Sequence, residues 1–224
     1  MRILLRLPIL IATPLILIVL AVRLLNLPWY PAWVYNQPDF PPDYYGMAPE
    51  QRLKLAQASM DFLNAPYDLN RLKILELEPD VPAYNERELS HMADVKQVFD
   101  GVTLAAAIVL LIAALTGFFF VRKFDLGDLW GTLSDGGLIG LGLLLLLGIW
   151  MIIGWDGFFV AFHQIFFKGG TWIFEYTDTL IRLFPQPFWE TAGKLVAGSV
   201  GGLSFLMALI FRMLQKRWEW KRSA

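Results

Sequence analysis

An all-α integral membrane protein with four transmembrane helices follows from this sequence on three grounds. Apolar residues make up 56% of the 224 and charged residues only 17%, a balance too apolar for a water-soluble domain of this size. Four stretches supply the roughly 20 mostly apolar residues that a bilayer core requires of a helix. Basic residues gather at one end of these stretches, the distribution that membrane insertion favours.

The spans fall at residues 3–24, 102–121, 136–155 and 192–213. The first carries Arg6, Pro8 and Pro14. Its apolar run is long for a cleaved signal, and no small-x-small site precedes Leu24, so a retained helix is expected. The second holds no charge, and the fourth opens near Lys194. Apolar character in the third continues through Phe158, Phe159, Val160, Phe162, Ile165, Phe166 and Phe167, too far for one span with ordinary tilt. A break at Gly154, Asp156 and Gly157 is expected. The remainder, Phe158 to Phe167, reads as a short interfacial or partly buried helix. Spans two and three are joined by a short loop, Arg122 to Asp135, so they are antiparallel neighbours within a single membrane domain. Gly136-Gly137 and Gly198 to Gly202 sit where glycine serves close helix packing.

Charge orients the chain. Arg2 and Arg6, then Arg122 and Lys123, then Arg212, Lys216, Arg217, Lys221 and Arg222 flank the spans on one side. The positive-inside rule makes that side cytoplasmic, with both termini. Residues 27–100 and 156–191 then lie outside, and the first of these segments is acidic, with 12 acidic and 6 basic residues. Arg23, near the outer end of span one, is expected to snorkel to the headgroups.

In the large outer segment, residues 28–49 are dense in proline and aromatic rings, which reads as a loop along the interface with its rings in the headgroup layer. Pro49 to Asn64 reads as a helix, with proline in its first turn and Leu53, Ala56, Met60 and Leu63 at helical spacing. Lys73 to Glu78 alternates apolar and polar residues and allows a short strand. Asn85 to Asp100 is helical in composition and runs into span two.

Only two histidines exist, His91 and His163. Glu88, His91 and Asp94 follow one another at three-residue steps on one helical face. Either carboxylate is in reach to orient the imidazole and favour its cation. His163 stands among Phe159, Phe166 and Phe167, the only titratable group between Asp156 and Lys168. An ionisable group at such an apolar depth is a functional candidate. Each histidine alone is as well explained by a structural role, but the topology puts both on the outer side at similar depth, and a shared site is the stronger reading.

Several classes are excluded or weakened. A net charge of −1 gives no field for nucleic acid. No cysteine is present, so disulfides, thiolate metal sites and a thioester route are out. The histidines lack metal-ligand spacing, and no metal or cofactor is expected. Ser59, Ser90 and Ser199 lack the context of a nucleophile elbow. The second and third spans carry no charged residue inside the membrane, which argues against an ion path. A non-enzymatic envelope sensor, or a binding protein for a membrane partner, remains the alternative to an enzyme.

The run Glu86-Arg87-Glu88-Leu89-Ser90-His91-Met92-Ala93-Asp94-Val95-Lys96 resembles the signature of the bacterial lipoprotein intramolecular transacylase (Lit) family. So does Phe162-His163-Gln164-Ile165-Phe166-Phe167 with Trp172 and Phe184-Pro185 downstream. The four-span layout extends the resemblance over nearly the whole chain. It implies a bacterial cytoplasmic-membrane enzyme whose site faces outward and whose substrate is a diacylated lipoprotein. The sn-2 acyl chain of the S-diacylglyceryl cysteine would move to that cysteine's α-amino group, leaving a lyso-form, N-acylated product. His91 and His163 would be the catalytic pair. On this reading His91, oriented by Glu88 or Asp94, is the base, and His163 stabilises the oxyanion or protonates the glycerol oxygen. A histidine nucleophile is the rival. Tyr84, Asn85 and Trp172 are candidate supporting residues, and Phe159, Phe162 and Phe166 candidate lining for acyl chains among the membrane lipids.

Overall fold

The computed structural model describes residues 2–223. Nine helices and one two-stranded hairpin follow in order among them: α1 (Arg2–Leu25), α2 (Trp29–Val34), α3 (Pro49–Asn64), α4 (Asn70–Lys73), β1 (Glu76–Glu78), β2 (Val81–Pro82), α5 (Glu86–Lys123), α6 (Leu126–Ile153), α7 (Trp155–Phe166), α8 (Thr179–Leu183) and α9 (Gln186–Ser223). Four of them, α1, α5, α6 and α9, are long and apolar enough to cross a membrane. The expected break in the third apolar run falls at Gly154, between α6 and α7.

Three boundaries differ from expectation. The stretch Arg122 to Asp135 is mostly helix, because α6 starts at Leu126 and leaves only Phe124 and Asp125 between helices. Asp125 Oδ1 accepts the Gly127 amide at 2.6 Å and so supports the start of α6 without a longer loop. The hairpin makes the fold slightly less than all-α. Glu76 faces Pro82, and Glu78 faces Val81. The turn between them is made at Asp80, whose φ of 63° is a conformation that Asp tolerates better than most residues. The proline-rich segment contains α2, because Pro28 stands at its N-cap and Pro31 in its first turn. A first-turn nitrogen has no intrahelical acceptor, so proline costs nothing there.

Contacts divide the chain into two compact units. One comprises Met1–Val22, Val102–Ile153 and Lys194–Ala224. Its helices approach closely at glycine. A β-carbon on Gly137 would lie 2.7 Å from the Ser204 carbonyl oxygen, and one on Gly136 would lie 2.8 Å from Thr13 Oγ1. Gly198, Gly201 and Gly202 meet open space instead, so the expected role in packing holds for the first pair only. Asp135 accepts from both Arg6 (2.5 Å) and Arg212 (2.8 Å), and Arg6 also reaches Thr132 Oγ1 at 3.1 Å.

The other unit comprises Arg23–Gly101 and Gly154–Gly193, and it contains both histidines. Its core gathers Met47, Leu55, Ala56, Phe62, Leu72, Ala83, Tyr84, Leu89, Met92, Leu180 and Leu183. Burying such side chains gives roughly 1.5–3 kcal/mol each and drives the unit together. Of the rings expected along the interface, Trp29, Trp33 and Tyr44 are exposed, but Tyr30 and Tyr35 are not. Those two turn inward and donate their hydroxyls to the carbonyls of Phe188 and Leu183, each at 2.6 Å. Arg23 does not simply extend toward headgroups. It donates to Asn64 at 3.3 Å and lies 4.4 Å from the Phe99 ring centre.

A buried polar lock closes this unit. Arg182 pairs with both Asp43 oxygens at 2.9 and 3.0 Å, and Asp43 also accepts the amides of Tyr45 and Met47. Arg52, which lies over the adjoining rings of Tyr35 and Phe40, donates to the carbonyls of Arg182 and Pro41. Removing one partner of a buried pair strands the other's charge. Asp43→Ala is therefore expected to lower stability by about 3 kcal/mol, read as thermal unfolding in detergent. Asp68→Ala, which breaks the exposed pair with Arg71, should change it by under about 0.5 kcal/mol. Equal effects would contradict the assignment of the lock.

Candidate functional site

The site begins with the start of α5. Asn85 and Glu88 form a reciprocal capping box: the Glu88 amide donates to Asn85 Oδ1 at 3.0 Å, and the Asn85 amide to Glu88 Oε2 at 2.8 Å. The second Glu88 oxygen accepts the Leu180 amide at 2.7 Å, in the first turn of α8. Glu88 is 2% exposed. Burial pushes its carboxyl up, while the bonds from Asn85 and Leu180 pull the other way. Expected beside His91 as its orienting carboxylate, Glu88 is instead committed to two helix starts. Asp94 is half-buried and makes no hydrogen bond or ion pair with His91 among the described residues.

Asp178 completes the hold on the segment after α7. Its carboxylate accepts the Glu175 amide at 2.8 Å, Asn85 Nδ2 at 2.9 Å and Arg87 at 2.7 Å. The Arg87 guanidinium also lies 5.4 Å from the Phe174 ring centre. Residues 174–180 are thus tied to the first turn of α5, one turn before His91.

Within this frame the two imidazoles converge. Their ring centres are 6.3 Å apart and their planes are inclined by only 21°. Phe167 and Phe174 stand edge-on to His91, at 5.0 and 5.3 Å. Phe159 and Trp172 lie against His163, at 4.0 and 4.8 Å, with Phe162 at 5.6 Å. Phe166 packs on Phe162 and is, like it, partly exposed. Phe174 and Asp178 were not singled out from the sequence, and no local pattern marks them as neighbours of a histidine.

Hydrogen bonding defines one tautomer. His163 Nδ1 lies 2.8 Å from the Phe159 carbonyl, one helical turn back on α7. A carbonyl only accepts, so Nδ1 carries the proton and Nε2 of the neutral ring presents a lone pair. His91 Nδ1 is buried with no partner, as is Trp172 Nε1. Burial holds His91 down at about 4, with the nearby His163 adding to the effect. Burial also lowers His163, against the pull of the Phe159 carbonyl. Both rings are therefore neutral at pH 7. Of the other candidates, Tyr84 is turned into the core, where its hydroxyl pairs with Ser59 Oγ at 2.8 Å, and Asn85 is occupied by the capping box and Asp178.

The chemistry available is proton acceptance at His163 Nε2 next to a second neutral imidazole, inside an aromatic enclosure. Among the described residues no three His, Asp or Glu side chains converge as metal ligands.

Known proteins resemble this chain over its length. The family described as lipoprotein intramolecular transacylase Lit matches residues 7–189. An uncharacterized protein from Aquifex aeolicus (strain VF5) is 33% identical over 210 residues, spanning 94% of this chain and 92% of its own. The in meso structure of the membrane integral lipoprotein intramolecular transacylase Lit from Bacillus cereus superposes with a TM-score of 0.80. That match is 20% identical and covers 100% of this chain and 99% of that one. A variant of that protein with a histidine changed to arginine gives a TM-score of 0.66 at 18% identity, over 99% and 95% of the two chains. At those identities the likeness to the solved structures is one of fold.

With two histidines in the chain, ring-labelled histidine gives two assignable NMR titrations. The expected midpoint for His91 is about 4, and that for His163 lies below the ordinary imidazole value. The sign for stability follows. The unfolded chain takes up protons below about pH 6.5, and the folded chain resists until about pH 4 at His91. Stability therefore falls as pH drops through that window. Ordinary midpoints for both rings would show that the enclosure is wet.

Proposed function

The chain belongs to the lipoprotein intramolecular transacylase family, a multi-pass membrane enzyme of that kind, and from that premise we propose that it carries out an internal O-to-N acyl transfer at the His91–His163 pair. The substrate is a lipoprotein whose N-terminal cysteine bears a thioether-linked diacylglycerol. The sn-2 acyl group moves to the α-amino nitrogen, giving the lyso-form, N-acylated protein. The protein sits in the bacterial cytoplasmic membrane with its basic span ends inside. The two histidines and the acidic 27–100 segment then face outward, where such lipoproteins are displayed.

The observation that carries this reading is the near-parallel imidazole pair with a bare nitrogen on His163. The amine nitrogen attacks the ester carbonyl, and His163 Nε2 accepts the proton the nitrogen sheds. The carbonyl oxygen becomes an oxyanion. Collapse breaks the bond to the glycerol oxygen, which takes the proton back from His163. One ester becomes one amide and one free hydroxyl, with no water or co-reactant consumed.

This reverses the roles read from sequence. His91 lacks a carboxylate to make it a strong base, and its low proton affinity keeps it neutral. A neutral imidazole of that kind is an effective hydrogen-bond donor to a developing oxyanion, as in triosephosphate isomerase. The free amine of the substrate has a pKa of about 8, so a fraction is already unprotonated near neutrality and a mild base suffices. Donor and acceptor belong to one molecule, which removes much of the entropic barrier.

The test is conversion of a diacylated lipoprotein in detergent. Product mass equals substrate mass, so fragmentation of the N-terminal lipopeptide must locate the acyl chain. Wild type should put it on the amine, while His163→Ala and His91→Ala should each fall at least about 100-fold. Rapid quench should find no acyl group on the protein, and an acyl-imidazole there would make His163 a nucleophile. A competent substrate left untouched by wild type would sink the proposal.

A further inference from the structure

The transacylation proposed above needs more than one donor at its oxyanion, and the proposed base cannot supply it. His163 has its only proton at Nδ1, committed to the Phe159 carbonyl, and its Nε2 must stay bare to accept from the amine. The phenyl rings of Phe159, Phe162, Phe167 and Phe174 offer no N–H or O–H. Of the side chains in ring contact with the pair, Trp172 alone adds a donor to His91.

Trp172 is unusual among its neighbours. An indole N–H is a donor only, and a buried donor ordinarily finds an acceptor. Two other tryptophans of the same unit pair their N–H even though their side chains are exposed. Trp29 Nε1 donates to the Leu24 carbonyl at 2.7 Å, and Trp189 Nε1 to the Phe184 carbonyl at 2.9 Å. Trp172 Nε1 is buried and has none, and it shares this state with His91 Nδ1 on the other side of the pair.

The backbone holds the indole there on purpose-built turns. Thr171 donates its amide and its hydroxyl to the Lys168 carbonyl, and the Ile173 amide reaches the Gly170 carbonyl. Gly170 takes a φ of +85°, which glycine alone adopts cheaply. On the far side, Glu175 is tied to Asp178. The ring is thereby fixed 4.8 Å from His163 and 6.4 Å from Phe159.

We propose that Trp172 is a catalytic residue of the acyl transfer, its indole N–H donating to the ester carbonyl oxygen as that oxygen becomes an oxyanion. The proposal rests on the transacylase reading of the histidine pair. It gives the enzyme a two-donor oxyanion site, His91 on one side and Trp172 on the other, with His163 free for the proton. The N–H has no acceptor in the resting protein because its acceptor is the substrate carbonyl oxygen. No hydrogen bond has to be broken before the transition state forms, which is the condition for electrostatic preorganisation.

The decisive variant replaces Trp172 by β-(3-benzothienyl)alanine, which keeps the fused ring and exchanges N–H for sulfur. Trp172→Phe is the genetically simple companion. With a diacylated lipoprotein in detergent, kcat should fall by about 100- to 1000-fold in the benzothienyl variant. KM should stay within about threefold, and the thermal unfolding midpoint should match wild type. A benzothienyl variant within about threefold of wild-type kcat overturns the proposal, and loss in the phenyl variant alone would then report packing. Wild type and His163→Ala are run beside them. Inactive wild type takes down the transacylase reading and this proposal together, whereas active wild type with an active benzothienyl variant takes down this proposal alone.

Discussion

One carboxylate, that of Glu88, carries the local architecture on which the histidine pair depends. Taking a carboxylate out of water is costly unless its oxygens are well matched by donors. Glu88 is matched by two backbone amides, that of Asn85 just before α5 and that of Leu180 in α8, 92 residues further along the chain from Glu88. The first bond fixes where α5 begins and therefore how His91 is presented. The second pins the return of the chain after α7, the stretch carrying Trp172 and Phe174. Asp178 and Arg87 reinforce the same junction from its more exposed side. Since side-chain rotation alone spans several ångströms, a 6.3 Å pairing of rings from α5 and α7 is meaningful only because their backbones are anchored to each other's neighbourhood in this way.

The enclosure that follows sets the protonation chemistry. Phenyl and indole faces exclude water from both imidazoles, and low polarity disfavours the cation. A soluble histidine flanked by carboxylates would be pushed the other way, toward a strong base that is charged much of the time. The proposed transfer to an amine with a pKa of about 8 would gain little from such strength. It would gain more from a ring that is neutral and oriented before substrate arrives. The Phe159 carbonyl supplies that orientation for His163 at the cost of no extra charge. On the proposed function, the acyl chains of a lipid-linked substrate would suit the same apolar walls, so one set of aromatic residues would both exclude water and accommodate the ester arm.

Much of this was legible from the residues. Apolar runs located all four long helices, since a bilayer leaves few alternatives for a backbone. The isolation of two histidines in the chain, each beside an apolar run, gave the pair. What local patterns missed is instructive. Glu88 sits three residues before His91, and that spacing suited an orienting carboxylate. It also sits three residues after Asn85, the spacing of a capping box, and the carboxylate went to the amides because their donors were already fixed in direction. Prolines in 28–49 argued against a helix, yet Pro31 lies in the first turn of α2, where its missing donor is irrelevant. Phe174 and Asp178 reach the site through contacts with His91 and Arg87, 83 and 91 residues away in sequence, and nothing in a single chain's periodicity marks such pairs.

The distribution of unmet hydrogen bonds gives the last step. In the unit holding the histidines, buried polar groups are matched with care: Arg52 and Arg182 meet carbonyls and Asp43, Tyr30 and Tyr35 meet carbonyls, and Lys96 meets the Leu63 carbonyl and Asp100. Native folds leave few such groups unpaired, because each one weakens the folded state. Of the buried orphans among the described residues of this unit, Asn26 Nδ2 stands by itself, while His91 Nδ1 and Trp172 Nε1 lie in one aromatic pocket around His163. Two unmet groups in one pocket are hard to attribute to poor packing, since the rings around them are closely packed. They are better understood as polar atoms whose partner arrives with the substrate. On the proposed transacylation, a carbonyl oxygen that gains negative charge would be the partner of both, and stability forgone in the resting protein would become binding realised in the transition state.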